Sequence, residues 1–460
     1  MIYETVISPG IGIGNSIKLG LTLYEVITEL NKHGYKYRVL YSETNYYDSP
    51  ILIQIIDLDI RLTFQNKNDQ VLSLIEVLHL DGNNCGKPLR LLYKNQSLNE
   101  FEQVNECDND VTNQSKVQSS SSEMANSNLS NSSNGDANGT RLVSTGPSFQ
   151  LIYNKILGPT YPGMFNGTAN SYTLSYPGIA FKYKIVNEEL RNKLKDQSSE
   201  LVLDTLINWD SPQDIICNSI AIFKGKTWSE YRANCHATQT GNVFAVDLDR
   251  GVITINGTQS IEIGKSTQQD VIDILGPPDD KFNKYDSRLL IHNYLSDDSL
   301  EEEEAKKDFR NCKFHNYYKL GIDILYDLQD QQSTLQNTLN SVVNKVILHN
   351  GGIAEDLSFM KWNRCNWTIE SSQFGQHISS TMYFDNLPTQ FKSLTPVFLN
   401  RYESEFIDND LDVIDLPSIK KDSSTSGKLK RWGQSKLYGL DRCIMEVLNS
   451  NGCISSVTIY

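Results

Sequence analysis

Residues 60–64 read Ile-Arg-Leu-Thr-Phe, residues 179–183 read Ile-Ala-Phe-Lys-Tyr, and residues 322–326 read Ile-Asp-Ile-Leu-Tyr. Each stretch has an isoleucine, a second apolar residue and an aromatic residue at alternate positions. This period of two places the three large side chains on one face of a β-strand. The recurrence of one strand pattern predicts that related structural units follow one another along the chain.

A helical pattern precedes two of these strands. Residues 19–22 (Leu-Gly-Leu-Thr) lead into apolar residues at 23, 27 and 30, and residues 263–266 (Ile-Gly-Lys-Ser) lead into apolar residues at 271 and 274. Apolar residues with this spacing share one face of a helix. Thr22 and Ser266 stand where an N-cap hydroxyl is expected, with Glu25 and Gln269 completing a capping box. We therefore predict two helices with the same start signal.

Hairpins are predicted after the helices. The polar turn 66–70 separates the first strand copy from the apolar run 71–78, and the run 342–349 pairs with the third copy. Ser450-Asn451-Gly452 is a turn signal before a final strand at 454–460.

Two helices are predicted to end at glycine followed by proline, at Gly158-Pro159 and Gly276-Pro277. Together these patterns predict an α+β fold of repeated helix plus antiparallel β-hairpin units, with the helices packed on one face of the sheets.

Polar stretches divide the chain. An Asn/Ser-rich segment with few apolar residues cannot bury enough surface to offset its ordering entropy, so we predict that it is a disordered insertion. The predicted organisation is a first unit at 1–104, the insertion at 105–145, a second unit at 146–250, a third unit at 251–350 with an acidic insertion at 296–310, and a C-terminal unit at 351–460 with a polar loop at 418–430.

The net charge of −14 argues against a nucleic-acid-coating protein, because affinity for phosphate backbones needs clustered Lys and Arg. It also weakens the case for direct binding to anionic lipid. The densest basic cluster, Lys428, Lys430 and Arg431, is interpreted as a solvated loop, since stable membrane recruitment needs more basic residues or a second signal.

The sequence shows neither a signal peptide nor an apolar run of about 18 residues, the length that crosses a bilayer. We therefore expect a cytoplasmic protein whose eight cysteines stay reduced.

The sequence contains only fragments of catalytic and metal-binding patterns. The glycine run at 9–14 lacks the spacing of a dinucleotide fingerprint and the Gly-Lys-Ser/Thr of a P-loop, so we interpret it as a turn. Cys312-x-x-His315 is a single ligand-like pair, whereas a structural zinc site needs four ligands. Cys235-His236 is distant from it in sequence. We predict no catalytic, cofactor-binding or metal-binding residues and no enzymatic activity.

Two aromatic clusters leave two interpretations open. Tyr41, Tyr46 and Tyr47 lie around a predicted loop, and residues 161–165 read Tyr-Pro-Gly-Met-Phe. Exposed aromatic residues serve as anchors in protein interfaces. Aromatic residues also close the edges of hydrophobic cores, which is the commoner situation.

Several ordered blocks of the sequence resemble the phagosome assembly factor family, and the similarity runs from the first strand to the last. The most specific blocks are residues 39–43, 74–77, 158–163, 264–277, 318–327, 345–349, 445–447 and 455–460. This chain differs from the family pattern in its long Asn/Ser insertion, its acidic loop and the lack of a short tail after Tyr460.

The resemblance implies a non-enzymatic regulator of autophagy that associates with a β-propeller protein of the breast carcinoma amplified sequence type at the phagophore assembly site. It also implies that membrane association is indirect, through this partner. An alternative within the same resemblance is a Golgi-to-plasma-membrane vesicle trafficking factor or a lipid-binding module.

Overall fold

The computed structural model describes residues 3–42, 44–65, 70–80, 87–105, 140–195, 197–235, 242–283, 312–327, 341–350, 361–400, 434–440, 442–449 and 451–460. The elements of the first half are β1 (Tyr3–Ser8), β2 (Gly12–Ile13), β3 (Ile17–Lys18), α1 (Leu23–Lys32), β4 (Tyr37–Leu40), β5 (Ile51–Ile55), β6 (Ile60–Phe64), β7 (Leu72–Val77), β8 (Leu89–Tyr93), β9 (Gln96–Ser97), β10 (Glu100–Asn105), β11 (Thr140–Thr145), α2 (Phe149–Leu151) with a π-helical turn (Ile152–Ile156), β12 (Met164–Asn166), β13 (Ser171–Tyr176), β14 (Ile179–Ile185), α3 (Glu188–Leu194), α4 (Ser199–Ile207), a 3₁₀ turn (Pro212–Asp214), β15 (Ile215–Phe223) and α5 (Trp228–Asn234). Those of the second half are β16 (Val243–Asp247), β17 (Val252–Ile255), β18 (Gln259–Glu262), α6 (Gln268–Leu275), β19 (Asp280–Asn283), β20 (Cys312–Tyr317), β21 (Ile322–Asp327), β22 (Val342–His349), β23 (Asn366–Glu370), β24 (Ile378–Ser379), a 3₁₀ turn (Phe384–Asn386), α7 (Thr389–Lys392), β25 (Val397–Asn400), β26 (Gln434–Leu440), β27 (Cys443–Leu448) and β28 (Ile454–Ile459).

The two halves have the same strand order. Each contains an eight-stranded antiparallel sheet, with the order β4-β5-β6-β7-β15-β14-β13-β12 in the first half and β19-β20-β21-β22-β28-β27-β26-β25 in the second. Each sheet is therefore two four-stranded meanders joined through their last strands. The predicted units at 1–104 and 146–250 each supply one meander of the first sheet, and those at 251–350 and 351–460 supply the meanders of the second.

A five-stranded sheet accompanies each eight-stranded one. The orders are β3-β2-β1-β8-β9 and β18-β17-β16-β23-β24. Each contains one parallel pair, β1 with β8 and β16 with β23, which the predicted antiparallel hairpins did not include. The fold is thus dominated by antiparallel and mixed sheets, and the predicted β-hairpins at the first copy, at 342–349 and at the C-terminal turn are confirmed.

All four meanders carry a β-bulge at the same position. The register shifts lie between Thr63 and Phe64, Lys182 and Tyr183, Leu325 and Tyr326, and Glu446 and Val447. In each case the partner strand has one extra residue, which is Ser73, Asn218, Asn344 or Ser455. A bulge adds one residue to one strand and reorients the side chains beyond it. The meander with the shift after Glu446 is a fourth copy of the strand pattern.

Helix α1 begins as predicted. The hydroxyl of Thr22 accepts a hydrogen bond from the amide of Glu25 at 3.3 Å, and the carboxylate of Glu25 accepts one from the amide of Thr22 at 2.8 Å. These reciprocal bonds are the capping box.

For α6 the predicted cap was wrong by one residue. Thr267 is the N-cap and Asp270 closes the capping box, with the Asp270 carboxylate 2.8 Å from the Thr267 amide. Ser266 lies in the preceding turn, where its hydroxyl accepts a hydrogen bond from the amide of Glu262 at 2.9 Å. Gln269 is therefore not part of the box.

Helix ends at glycine are confirmed. Gly276 is the C-cap of α6 with a φ of 83°, and Gly158, with a φ of 86°, follows the π-helical turn. Positive φ is unfavourable for residues with a Cβ atom, so glycine suits both positions.

Each half has its own hydrophobic core. The predicted strand copies contribute their alternate apolar residues to these cores. In the first half α1, α3 and α4 bury their apolar residues in the same cluster as Ile179, Phe181 and Tyr183. Helix α5 differs, because its Trp228 packs in a separate cluster with Ala180, whose side chain lies on the opposite face of β14. Helices therefore contact both faces of this sheet, and the expectation of packing on one face does not hold for α5.

The Asn/Ser-rich segment is bracketed by a two-stranded ribbon. Strand β10 pairs with β11, so that Asn105 stands opposite Thr140. The prediction of disorder over 105–145 is therefore wrong at its two ends, because Asn105 belongs to β10 and residues 140–145 form β11 through their pairing with it. The rest of that insertion, the acidic insertion at 296–310 and the polar loop at 418–430 with its basic cluster lie outside the described residues.

Candidate functional site

The two halves meet at a buried seam of aromatic and polar side chains. The seam consists of Tyr46, Tyr47, Gln70, Asn350, Asn363, Arg364, Tyr383 and Cys453. The connection between β4 and β5 carries Tyr46 and Tyr47 into the second half, where they are 5% and 2% exposed. Of the two interpretations of this tyrosine cluster, the buried one is therefore correct.

Arg364 is the central charge of the seam. It is 3% exposed, and its guanidinium lies 4.4 Å from the ring centroid of Tyr47. Its Nε donates to the side-chain carbonyl of Asn350 at 3.0 Å, and Nη2 donates to the backbone carbonyl of Ser380 at 3.1 Å. The guanidinium thus contacts an aromatic face and donates to two neutral acceptors, which compensates in part for its burial.

Asn350 connects Arg364 to the first half. Its side-chain amide donates to the hydroxyl of Tyr47 at 3.0 Å and to the carbonyl of Ile454 at 3.0 Å. A second hydrogen bond between the halves runs from the backbone amide of Gln70, which donates to the side-chain carbonyl of Asn363 at 2.9 Å. These buried hydrogen bonds fix the two halves relative to each other, because breaking one would leave a desolvated polar group without its partner.

Gly321 permits the close approach on which this second hydrogen bond depends. A Cβ atom at this position would lie 2.2 Å from the carbonyl oxygen of Asn363, and the φ of Gly321 is 68°. The amide of Asn363 donates to the carbonyl of Tyr318 at 2.7 Å. Glycine at 321 is therefore required to hold this segment against the turn before β21.

A cleft of about 410 Å³ opens beside the seam. Its lining comes from both halves and comprises Gly20, Leu21, Thr22, Glu25, Val71, Asn242, Phe244, Lys319, Leu320, Asn363, Arg364 and Asn366. The Nζ of Lys319 lies 3.9 Å from the carboxylate of Glu25, which also serves the N-cap of α1. Of the charged groups that line the cleft, Glu25 thus belongs to the cap of α1, Arg364 belongs to the seam, and Lys319 reaches from the second half to Glu25.

Burial favours the neutral forms of the ionisable groups of the seam. Burial raises the pKa of Tyr46 to about 12 and that of Cys453 to about 11. Burial lowers the pKa of Arg364, while Tyr47 acts in the opposite direction. A thiol with so high a pKa is a poor nucleophile at neutral pH, since the thiolate is the reactive species.

A hydrogen-bond network centred on the carboxylate of Asp323 lies next to the seam, on the outer face of the second eight-stranded sheet. Asp323 is 5% exposed and accepts hydrogen bonds from Asn316 at 2.9 Å and from the indole of Trp362 at 2.7 Å. The Nε2 atom of His349 lies 2.8 Å from the same carboxylate, and its ring stacks on Trp362 at 4.5 Å. This network attaches the segment before β23 to the sheet.

The predicted ligand-like pair does not form part of a metal centre in the described residues. Cys312 and His315 both lie in β20. His315 is fully buried, with Nε2 3.0 Å from the side-chain amide of Gln268 and its ring 4.8 Å from that of Tyr326. Across the described ranges, no group of three or more His, Cys, Asp or Glu side chains is placed to hold a metal ion.

The other aromatic cluster lies on the surface. Tyr161 is 87% exposed and Met164 is 52% exposed, next to the edge strand β12. Gly163 fixes this turn, as its amide donates to the hydroxyl of Tyr172 at 2.6 Å. The edge strand β25 of the second half also exposes apolar residues, Val397 at 60% and Phe398 at 69%. Both sheets thus end in apolar edges.

The family model described as phagosome assembly factor 1 matches residues 14–114 and 141–460, which covers both halves. The chain belongs to the phagosome assembly factor 1 family. The predicted resemblance is therefore confirmed, and the Asn/Ser-rich segment falls between the two matched stretches.

The chain is similar to curated proteins of this family from two animals and a plant. Proteins described as PHAF1 proteins are 24% identical over 339 residues in Caenorhabditis elegans, 23% over 337 residues in Arabidopsis thaliana and 23% over 340 residues in Drosophila melanogaster. The alignments cover 67%, 69% and 68% of this chain and 69%, 70% and 71% of the respective relatives. No solved structure matches the chain. Among the helices of the described ranges, none has both the length and the apolar character to cross a bilayer.

Proposed function

We propose that this phagosome assembly factor is a non-enzymatic adaptor in autophagy that associates with a β-propeller protein at the phagophore assembly site. The main support for this proposal is the family match, which covers residues of both halves and all the residues of the seam. A rigid junction between two sheet-rich bodies supports a docking role, because a partner can then bind a surface of fixed shape. Membrane contact is indirect in this proposal and passes through the partner.

Two buried ionisable residues, Cys453 of the seam and His315 of β20, support the non-enzymatic part of the proposal. General acid–base catalysis needs a group whose pKa lies near the working pH. Burial moves the pKa of Cys453 to about 11 and that of His315 to about 4, far from neutral in both cases. Their hydrogen-bonded neighbours give these residues structural roles.

Localisation and purification in starved cells test the proposal. Cells lacking their own copy of the gene would express the chain with a fluorescent or affinity tag. We expect starvation to bring the fusion into puncta that coincide with autophagosome markers, and purification to recover a β-propeller protein in near-equal amount. Recovery of the chain alone would contradict the adaptor role. Steady Golgi labelling would instead favour vesicle trafficking between the Golgi and the plasma membrane.

A further inference from the structure

The cleft beside the seam is lined by three asparagines, and the side-chain oxygen of each already accepts a hydrogen bond. Asn363 is 5% exposed, and its Oδ1 atom accepts from the backbone amides of Gln70 at 2.9 Å and Arg364 at 3.0 Å. A backbone N–H can only donate, so these two bonds fix which side-chain atom of Asn363 is the oxygen. The Nδ2 atom is therefore the group that is left to bind something else.

This Nδ2 atom opens onto the cleft. Among the described residues, Nδ2 of Asn363 has no hydrogen-bond partner, and it is not one of the polar atoms that solvent cannot reach. A donor on so buried a side chain is costly to leave unpaired, because it has lost most of its contact with bulk water. Its partner must come from the cleft that Asn363 lines.

The other two asparagines are oriented in the same sense. The amide of Val243 donates to Oδ1 of Asn256 at 2.9 Å, and Nδ2 of Asn256 then donates to Oδ1 of Asn242 at 2.8 Å. Oδ1 of Asn366 accepts from the hydroxyl of Ser380 at 3.4 Å. Within the described ranges, the Nδ2 atoms of Asn242 and Asn366 are likewise without a partner. Three amide donors therefore belong to one cleft.

The charges of the lining favour a ligand with a single negative charge. Lys319 and Arg364 are cations and Glu25 is an anion, so two positive charges stand against one negative charge. The Lys319 side chain is 68% exposed, and its Nζ lies 3.9 Å from the Glu25 carboxylate, which is a loose pairing. A carboxylate accepts from amide and ammonium donors alike, whereas Glu25 would repel a more highly charged phosphate.

Apolar side chains form another part of the lining. Leu21 and Val71 come from the first half, and Phe244 and Leu320 come from the second. The volume of about 410 Å³ lies in the range of small-molecule sites, which combine apolar walls with a few placed polar groups. These apolar residues are suited to the hydrocarbon part of a ligand whose acid group binds the donors.

We propose that the cleft binds a small organic acid, whose carboxylate accepts hydrogen bonds from the side-chain amides of the three asparagines and pairs with Lys319. The bound acid contacts both halves, because the lining comes from both, and it thereby stabilises their junction. This site goes beyond the adaptor role and is independent of it, since binding requires no protein partner.

Ligand-observed NMR on the purified chain tests the site, with hexanoate as the probe. Saturation-transfer difference spectra detect binding in the millimolar range, which is the affinity that a ligand of so few atoms can reach. We expect hexanoate to bind, and its uncharged analogue hexanamide to bind at least about fivefold more weakly, because hydrogen bonds to a charged acceptor are the stronger ones.

Asn363→Asp changes the donor without removing the acceptor. One carboxylate oxygen still accepts from the amides of Gln70 and Arg364, while a second oxygen replaces the Nδ2 donor. We expect this variant to bind hexanoate at least about tenfold more weakly, because two carboxylates would then face each other. Thermal unfolding would first show that the variant is folded.

Lys319→Met is a second variant at a largely exposed position, so it decides the matter if Asn363→Asp does not fold. It removes the ammonium group and should weaken hexanoate binding about fivefold. Lys265→Met is the matched control. Lys265 is also an exposed lysine paired with a glutamate, Glu262, but it does not line the cleft, and we expect its loss to leave binding unchanged.

The site is supported if hexanoate binding weakens in both cleft variants and not in Lys265→Met. It is overturned if the wild-type chain transfers no saturation to hexanoate, or if hexanamide binds equally well. It is also overturned if either folded cleft variant keeps the wild-type affinity, or if Lys265→Met loses as much affinity as Lys319→Met. Displacement of hexanoate by inorganic phosphate at a lower concentration than by acetate would contradict the preference for a carboxylate.

Discussion

Arg364 is a buried cation of the seam that contacts the ring of Tyr47 and donates to neutral acceptors on Asn350 and Ser380. Taking a guanidinium out of water is costly unless its donors find partners, so the acceptors on Asn350 and Ser380 compensate for its burial. The side-chain carbonyl of Asn350 depends on Arg364 in turn, because it too is removed from water, whereas the carbonyl of Ser380 also accepts from the Asn350 side chain at 2.5 Å.

Arg364→Ala is expected to lower the free energy of unfolding by about 3 kcal/mol, since it leaves the buried side-chain carbonyl of Asn350 without its donor and opens a cavity. Urea denaturation followed by circular dichroism measures this change. Arg250→Ala is the control, because the Arg250 side chain is 82% exposed and its pairing with Asp247 is solvated. We expect the control to change stability by less than about 0.5 kcal/mol, and equal effects of the two variants would contradict the role of Arg364.

The buried side chain of His315 is expected to make the stability of the fold depend on pH. Burial, followed by the charges of Lys313 and Lys281, lowers its pKa from 6.5 to about 4. The unfolded state therefore takes up this proton before the folded state does as the pH falls. The contribution of His315 to stability is complete above pH 6.5 and is lost between pH 6.5 and pH 4, which amounts to about 2–3 kcal/mol.

This pH dependence is measured by urea titrations from pH 7 to pH 4 on the wild type and on His315→Gln. We expect a smaller loss of stability with acid in the variant, because glutamine does not titrate. A histidine proton resonance of the wild type should titrate with a midpoint near 4. A midpoint near 6.5 would show that the buried ring is not held neutral.

The sequence did not single out these residues in their actual roles. Arg364 stands in no motif, and its partners Asn350, Ser380 and Tyr47 are distant along the chain. The metal interpretation of His315, suggested by its spacing from Cys312, was rejected from the sequence, which left open whether the residue lies in the core or on the surface. When contacts between residues distant along the chain create the environment of a side chain, the neighbouring sequence gives little indication of that environment.

At the level of elements, the four β-bulges have a consistent effect on side-chain direction. Each places one polar residue between two strand segments, so that apolar residues on both sides of the bulge still face the core. In β22, Val343 and Val346 are both buried although they are separated by two residues, and Asn344 between them is exposed.

Deletion of Asn344 and Asn344→Ala distinguish the bulge from its side chain. The deletion forces Val343 or Val346 to the wrong face, so we expect a loss of several kcal/mol, on the order of the burial of one or two valines. The substitution keeps the backbone and should change stability by less than about 0.5 kcal/mol. Thermal unfolding measures both, and a deletion variant as stable as the substitution would refute this role of the bulge.

Local patterns predicted many of the elements. The three strand copies lie in β6, β14 and β21, and Thr22 caps α1. The fourth copy was missed because cysteine and valine replace isoleucine and the aromatic residue. The cap of α6 was misplaced by one residue because Ser266 and Thr267 are adjacent hydroxyl residues. Their roles are separated by the bond from Glu262 to Ser266 and by the reciprocal bonds between Thr267 and Asp270.

At the level of the whole molecule, the seam couples two halves that each have their own core. Tyr47 fills this junction, with its ring 5.0 Å from that of Tyr383 and its hydroxyl accepting from Asn350. The two halves should therefore unfold in one transition as long as the seam is intact.

Tyr47→Ala is expected to cost about 3–5 kcal/mol and to separate the unfolding of the halves into two transitions. Differential scanning calorimetry detects the second transition. Tyr47→Phe removes only the hydroxyl and should cost about 1 kcal/mol while keeping a single transition. Two transitions in the wild type would show that the seam does not couple the halves.

The pairing of units into halves could not be predicted from the sequence. It depends on β7 meeting β15 and on β22 meeting β28, pairs whose partners are more than a hundred residues apart. Periodicity locates strands, but it carries no information on which distant edges join. The parallel pairs of the five-stranded sheets have the same long-range character.

The ribbon of β10 and β11 closes the Asn/Ser-rich segment at its base, where Asn105 faces Thr140. The cost of closing a connection between two paired strands grows only with the logarithm of its length, so the stretch between Asn105 and Thr140 can gain or lose many positions at little expense to the folded body. Changes in the length of this polar tract would therefore be tolerated here. The same site suits the insertion of a reporter domain that leaves both termini untouched.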